Sequence, residues 1–301
     1  GNGYGIEMSG RVLNLKGINT YTGPTTCNAG YIYLNGTNAT SLITVNNGST
    51  IWLNGPCPGV TNVTMNGGFV SILNTANIPT NAVLAFNGGG VRADAYIALD
   101  FTNPVVLGGN LKVGGYAQIT FISPIALDDN RSFDSFLDAS SAWTKFAGAI
   151  SDGVGGAHRI TVTGSRGIKF TGTNTFTGGM VVNFSGDQVT LDGEMGSGIL
   201  AVSNGPVTGS CLFHFRDGDK MMVATGETMN ASSMKFDLSG ITMKSQTLVE
   251  YANGTFIVPD PLSNLLTLAS AQLRWTITND TGNGVISATR VNYLGSVIGV
   301  R

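Results

Sequence analysis

Two clusters in this sequence gather residue types that do chemistry. The first is Asp128-Asp129 with Arg131, followed some thirty positions on by His158-Arg159. Paired carboxylates beside a cation or an imidazole suit glycosidic cleavage. One group protonates the leaving oxygen while the other activates water or attacks the sugar. One turn of a repeating fold apart, these residues would share a groove. Against this, Asp128-Asp129-Asn130 is an ordinary turn sequence, because short Asp and Asn side chains bond their own backbone. The second cluster is His214-Phe215-Arg216-Asp217-Gly218-Asp219-Lys220. Asp-Gly-Asp offers hard oxygens to Ca²⁺. The run lacks the further carboxylates and the bidentate Glu of a calcium loop, and Arg216 and Lys220 neutralise it. A charged hairpin or loop tip is the expected outcome.

Other reactive constellations are missing. Gly-x-Ser-x-Gly, His-Glu-x-x-His, Cys-x-x-Cys and the Walker loop do not occur. Two His leave little for a zinc site. The chain is therefore expected to be no enzyme, with no catalytic residue, no metal and no cofactor. Cys27, Cys57 and Cys211 do not form a disulfide scaffold. A Cys27–Cys57 bridge between stacked turns stands as one arrangement. Small buried hydrophobes are the expected one. Nine Asn-x-Ser/Thr sequons follow from the richness in Asn, Ser and Thr. The remaining lead is aromatic. Tyr31 and Tyr33 alternate with Ile32 and Leu34, and Trp52 stands between Ile51 and Leu53. Alternation sends one set inward and the other outward. An outward strip of Tyr31, Tyr33 and Trp52 would suit a partner subunit or a glycan, unless a loop covers it.

The elements that must position these residues are strands. The chain has 301 residues, a formal net charge of −2, and only 11 % charged residues. That charge content is well below the usual value of about 25 %. Gly supplies 43 residues and hydrophobic residues 42 %. Disorder does not fit the apolar content. Nucleic-acid binding does not fit the charge. No run of apolar residues is long enough for a membrane-spanning helix. The start at Gly1, with no basic segment and apolar run behind it, predicts a processed chain or an excised piece. Good helix formers are scarce, while β-branched residues and Gly abound. Short runs such as Ser49-Thr50-Ile51-Trp52-Leu53 and Arg159-Ile160-Thr161-Val162-Thr163 alternate in period two. Asn35-Gly36, Asn54-Gly55, Asn66-Gly67-Gly68 and Asp192-Gly193 close such runs with the positive φ of tight turns.

Internal repetition selects the architecture. Residues 17–36 and 172–193 share Asn-Thr-aromatic-Thr-Gly, then a small segment, Asn, and a strand ending in Leu-Asx-Gly. The motif stands at Asn19, Thr20, Tyr21, Thr22 and Gly23, and again at Asn174, Thr175, Phe176, Thr177 and Gly178. A unit that cannot bury its own apolar face must stack on its neighbours, which is what a solenoid does. The segment from Gly17 to Gly36 resembles the autotransporter-associated β-strand repeat of large secreted bacterial surface proteins. The stretches 76–93, 104–109, 148–167 and 247–280 are similar to the spacers and the terminal module of such arrays, so the resemblance covers most of the chain. Pro24 replaces the usual second Gly of the motif, and Cys27 stands where Val is common.

The resemblance implies an all-β, right-handed parallel β-helix over 1–245, with one irregular or loop-bearing coil near 128–147, and a terminal module over 246–301. Stacked Asn side chains would serve as donors and acceptors between coils. Tyr21 or Phe176 would cover the core or a turn. Coils of roughly 20–25 residues predict about 12–14 of them. At about 4.8 Å per coil the rod is on the order of 60 Å long. The expected function is a non-enzymatic extracellular or cell-surface rod or fibre subunit that associates with other copies of itself. Exposed sheet ends favour such assembly. Gly1, Asn2, Gly3, Tyr4 and Gly5, with Leu294, Val297, Ile298 and Val300, are the candidate joining or capping residues. An adhesin for a surface glycan is the alternative, and a polysaccharide-cleaving enzyme or phage tail spike the second alternative. Neither a nucleic-acid partner nor a membrane span is expected.

Overall fold

Alternation along each strand sets which side chains turn inward. Ser49–Leu53 buries Ser49, Ile51 and Leu53 and turns Thr50 and Trp52 outward. Asn62–Asn66 buries Val63 and Met65 in the same way. In the computed structural model the chain is nearly all β, 53 % strand, and its parallel sheets stack as a β-solenoid. The structure describes residues 3–139, 142–182, 189–191, 200–202, 211–217, 220–222, 229–232, 234–251, 256–267, 270 and 274–291.

Coil lies on coil in parallel register. Ile6 pairs with Thr25, nineteen positions on, and Thr50 with Phe69, again nineteen. Ile160 pairs with Met180 and Met180 with Leu200, each twenty positions on. The largest sheet joins 14 strands and a second face joins seven. On the second face, Phe101, Phe121, Phe146 and Phe170 come into one column. Their rings stack at centroid distances of 5.8, 5.3 and 5.2 Å. All four are buried. Burying one such ring is worth about 1.5–3 kcal/mol, so this column is a main source of cohesion.

The turns carry polar ladders, as the Asn-rich corners predict. Asn35 Nδ2 donates to Asn14 Oδ1 at 2.7 Å and Asn54 Nδ2 to Asn35 Oδ1 at 2.6 Å. A second ladder runs Asn28, Asn46, Asn66 and Asn87, with donor–acceptor distances of 2.6, 3.0 and 2.8 Å. In both, the later Asn donates to the earlier one. Coils approach closely where glycines lie over each other. A Cβ on Gly36 would collide with the Gly17 carbonyl oxygen, and one on Gly55 with that of Gly36.

Among the described residues ten strands stack in parallel along one face, from Ile6–Leu15 to Leu200–Val202. Turns lengthen to 29 positions between Arg131 and Ile160, and the C-terminal strands leave the parallel ladder. The 128–147 stretch, expected to be an irregular or loop-bearing coil, is described except at 140–141. Its described residues form strands Arg131–Leu137 and Thr144–Phe146, joined through a longer connection than 116–118 one coil earlier. Phe133 and Phe146 point into the core, while the outward Phe136 meets Phe69 at 5.6 Å. Another long excursion lies at 153–159, between Ile150–Asp152 and Ile160–Gly164. Cys27 and Cys57 are both free and buried, as hydrophobic packing predicts. Burial pushes the Cys57 thiol up to about 12.

The C-terminal end switches pairing. Ser245–Glu250 pairs in parallel with Met221–Met222 and antiparallel with Val285–Arg290. Val285–Arg290 pairs antiparallel with Trp275–Asp280.

Candidate functional site

The predicted aromatic strip exists as a packed cluster. Ile32, Leu34, Ile51 and Leu53 are fully buried, which turns Tyr31, Tyr33 and Trp52 to the outer face. Tyr33 pairs with Trp52 in register, and their rings stack at 4.6 Å. Tyr31 meets the edge of Trp52 at 5.5 Å. The Trp52 indole N–H donates to Asp94 Oδ2 at 3.0 Å, and the Ser71 hydroxyl bonds the same oxygen. Arg92 Nε reaches Asp94 Oδ1 at 3.2 Å, and its Nη2 lies 3.6 Å from Asp138. Tyr31 remains 45 % exposed. A second outer pair, Tyr96 and Tyr116, meets at 5.4 Å. Sequence reasoning missed Asp94 and this pair. The Tyr96–Tyr116 spacing of twenty is one coil and was a usable signal, whereas Asp94 lies 42 positions from Trp52.

The two reactive clusters are spent on fixing loops. Asp128 Oδ1 accepts from Val154 N–H at 2.9 Å, and Asn130 Oδ1 from Arg159 N–H at 2.7 Å. Asp129 holds the Asn130 N–H at 2.7 Å and Arg131 at 3.1 Å. These bonds keep its carboxyl below the usual range. His158 Nε2 lies 3.2 Å from Val154 O. The structure thus does bring Asp128, Asp129, Arg131, His158 and Arg159 to one corner, wrapped around the 153–159 loop. In the second cluster, Asp217 accepts from Thr242 and Met243 N–H at 2.8 and 3.0 Å. Lys220 pairs with Glu250 at 2.9 Å. Gly218 and Asp219 lie outside the described residues, and no group of three metal-ligating side chains occurs among the described ones.

The repeat motif serves the corners. Asn19 Nδ2 donates to Asn38 Oδ1 at 2.9 Å, Tyr21 OH meets Thr25 Oγ1 at 2.7 Å, and Gly23 N–H donates to Tyr4 O at 3.0 Å. In the second copy, Asn174 Oδ1 accepts from Ile150 N–H at 3.0 Å, Phe176 is buried, and Thr177 bonds Asp152. A Cβ on Gly178 would collide with the backbone of His158. The motif residues Thr20, Thr22 and Thr175 lie on the same segments, Thr175 N–H donating to Ile150 O at 2.8 Å.

Among the described strands, Ile6–Leu15 is the first of the stack. Ile6–Leu15 pairs with Thr25–Leu34, and no described strand pairs with its other side. Ile6 N–H donates to Pro24 O at 2.8 Å, and Leu15 O accepts from Asn35 N–H at 2.9 Å. Residues along a strand address alternate sides. In this strand the ladder is interrupted by register shifts between Met8 and Ser9 and between Ser9 and Val12. The two arms meet at a corner, Gly10–Arg11, where Arg11 holds a left-handed φ of 62°. Ile6, Met8, Leu13 and Leu15 face the core yet stay only half-buried. Tyr4, Val12 and Ile18 are 77, 61 and 81 % exposed. Of the predicted joining residues, Gly3, Tyr4 and Gly5 lie beside this edge. Gly1, Asn2, Leu294, Val297, Ile298 and Val300 lie outside the described residues. No described helix is long and apolar enough to cross a membrane. Compared with protein families, curated proteins and solved structures, the chain matches no family model, no curated protein and no solved structure.

Proposed function

We propose that this chain is a structural β-solenoid of a bacterial cell surface, an extracellular rod or fibre subunit that associates with its own copies. The observation that carries this is the parallel stacking, coil on coil, of ten described strands along one face. The polar side chains add support, being used in coil-to-coil ladders, which build length and stiffness. The resemblance of Asn19-Thr20-Tyr21-Thr22-Gly23 and its second copy to surface-protein repeats supports the location. Light scattering and electron microscopy of the chain across a concentration series test the proposal. Oligomers growing into fibres are expected; monodisperse monomers at every concentration would overturn it.

An adhesin is the second reading. It rests on the outward Tyr31 and on the exposed Tyr96–Tyr116 pair, which offer ring faces to a sugar. Glycan-array binding lost on Tyr96→Ala or Trp52→Ala would favour it. An array without signal removes it.

A further inference from the structure

We propose that Asn47 is a site of spontaneous deamidation, and that the amide ladders shield the other described Asn-Gly pairs from the same reaction. The sequence holds nine Asn-Gly pairs. Six lie wholly within the described residues, beginning at Asn35, Asn47, Asn54, Asn66, Asn87 and Asn283. Glycine is the most permissive follower for this chemistry, because no Cβ hinders its nitrogen or the backbone turn that brings it to bear. That nitrogen, deprotonated, attacks the Asn Cγ. The bond from Cγ to the amide nitrogen breaks, ammonia leaves, and a cyclic succinimide remains. Water then opens the ring at either carbonyl and leaves aspartate or isoaspartate. The net change is amide plus water to carboxylate plus ammonia, and nothing is oxidised or reduced.

The side chain must first rotate so that Cγ meets the nitrogen. A hydrogen bond held by the amide opposes that rotation. Asn35 donates to Asn14, Asn54 to Asn35, Asn66 to Asn46 and Asn87 to Asn66. Asn283 donates to Asp280 Oδ2 at 2.7 Å. Asn47 differs from all five: among the described residues its amide has no hydrogen-bond partner. The cause is register. Strand Leu42–Asn46 ends in Asn46, which pairs with Asn66 and takes this coil's place in the ladder. Asn47 and Gly48 are left as the two-residue corner before Ser49–Leu53.

Asn87 isolates the effect of the bond. Asn47 and Asn87 are both exposed, and both precede a glycine with left-handed φ, 75° at Gly48 and 87° at Gly88. Nothing lies within 4 Å of where a Cβ would stand on either glycine, so both corners have room to turn. Each Asn side chain rests on a bare glycine one coil on, Asn47 on Gly67 and Asn87 on Gly108. What separates them is the bond from Asn87 Nδ2 to Asn66 Oδ1 at 2.8 Å. The products differ in consequence too. A carboxylate at 47 adds a negative charge and leaves both ladders whole. One at 35 sets an oxygen against the Asn14 oxygen that now accepts from it. The ladders thus preserve the amides they are made of.

Ageing the full chain at mildly alkaline pH tests this, read by mass spectrometry that separates aspartyl from isoaspartyl at each position. Asn47 should convert roughly fivefold or more faster than Asn87, the weight of one amide hydrogen bond. Asn35 and Asn66, held as donor and acceptor, should be slower still. In urea, where the ladders are gone, the six sites should convert at similar rates. Asn66→Ala releases the Asn87 amide and should speed conversion at Asn87 by the same factor. Asn66→Asp keeps an oxygen for Asn87 to donate to and should leave it slow. Asn47→Gln should abolish the first acidic species seen on ion exchange and leave the melting temperature unchanged. Asn87 converting as fast as Asn47 in the folded parent would overturn the proposal. So would an equal lead for Asn47 in urea, which would assign the selectivity to local sequence, or an Asn87 rate indifferent to Asn66→Ala. Where Asn66→Ala speeds Asn35 as well, the whole fold has loosened, and the parent's folded-against-urea comparison decides.

Discussion

At the N-terminal end the outermost strand keeps Ile6, Met8, Leu13 and Leu15 half-exposed, whereas at the C-terminal end Leu248, Val249, Ile286 and Ala288 are fully buried. Both are cross-sections of stacked sheet, and the difference is in what covers them. A parallel edge is continued only by another whole coil, because the returning strand needs a long crossover. An antiparallel edge is closed by a hairpin, whose turn spans a few residues. The C-terminal segment uses that shorter route. Val285–Arg290 folds back on Ser245–Glu250 and is itself flanked by Trp275–Asp280. Asp280 ties the hairpin turn through Gly282 and Asn283 N–H at 3.1 and 3.2 Å. Local chemistry thus covers the described C-terminal strands, while Ile6–Leu15 is paired on one side only among the described residues.

The contrast has measurable consequences. Ile286→Ala at the closed end should cost about 2–5 kcal/mol in denaturant unfolding, since the cavity opens in a sealed core. Met8→Ala at the open end should cost the dilute chain only roughly 1 kcal/mol, because half of that side chain is in water already. Equal costs would mean that the N-terminal edge is covered within one molecule. One coil further in, Asn35→Ala cuts the Asn14–Asn35–Asn54 ladder on both sides. A loss of about 1 kcal/mol is expected for a half-solvated amide ladder, and no loss would show that the ladder only decorates the corner.

The smallest effect is a pH dependence at the closed end. Hydrogen bonds from the Asn283 side chain and backbone hold the Asp280 carboxyl below its ordinary range. A depressed value means that its contribution is present above the unfolded value of about 3.9 and is lost as pH falls through the lower folded one. The melting temperature of Asp280→Asn should therefore fall below that of the parent at neutral pH and converge with it in acid. A gap that persists in acid would refute the assignment.

Much of this was legible in the residues. Period two in Gly30-Tyr31-Ile32-Tyr33-Leu34 foretold which side of the wall each ring takes. The Asn-Gly corners foretold the amide ladders. The turn role of Asp128-Asp129-Asn130 was also visible. What was not legible depended on how much chain each corner absorbs. The Phe column joins Phe101, Phe121, Phe146 and Phe170 at steps of twenty, 25 and 24 positions, so no fixed period reveals it. Phe133 and Trp143 fall in the coil expected to be irregular, yet Phe133 packs on Phe146 at 4.8 Å and Trp143 carries Lys169 over its ring at 3.9 Å. Asp94 reaches Trp52 only because the one intervening coil, carrying Ser71, is in register with both.

By itself the sequence determined the low charge, the strand alternation and the corner residues, because the pleat and the φ preference of Gly and Asn act within a few residues. It thereby determined that the chain stacks coil on coil, where repeated like charges would repel. Tertiary structure alone decided the number of turns and which columns align. Those outcomes depend on pairings between segments far apart in the chain.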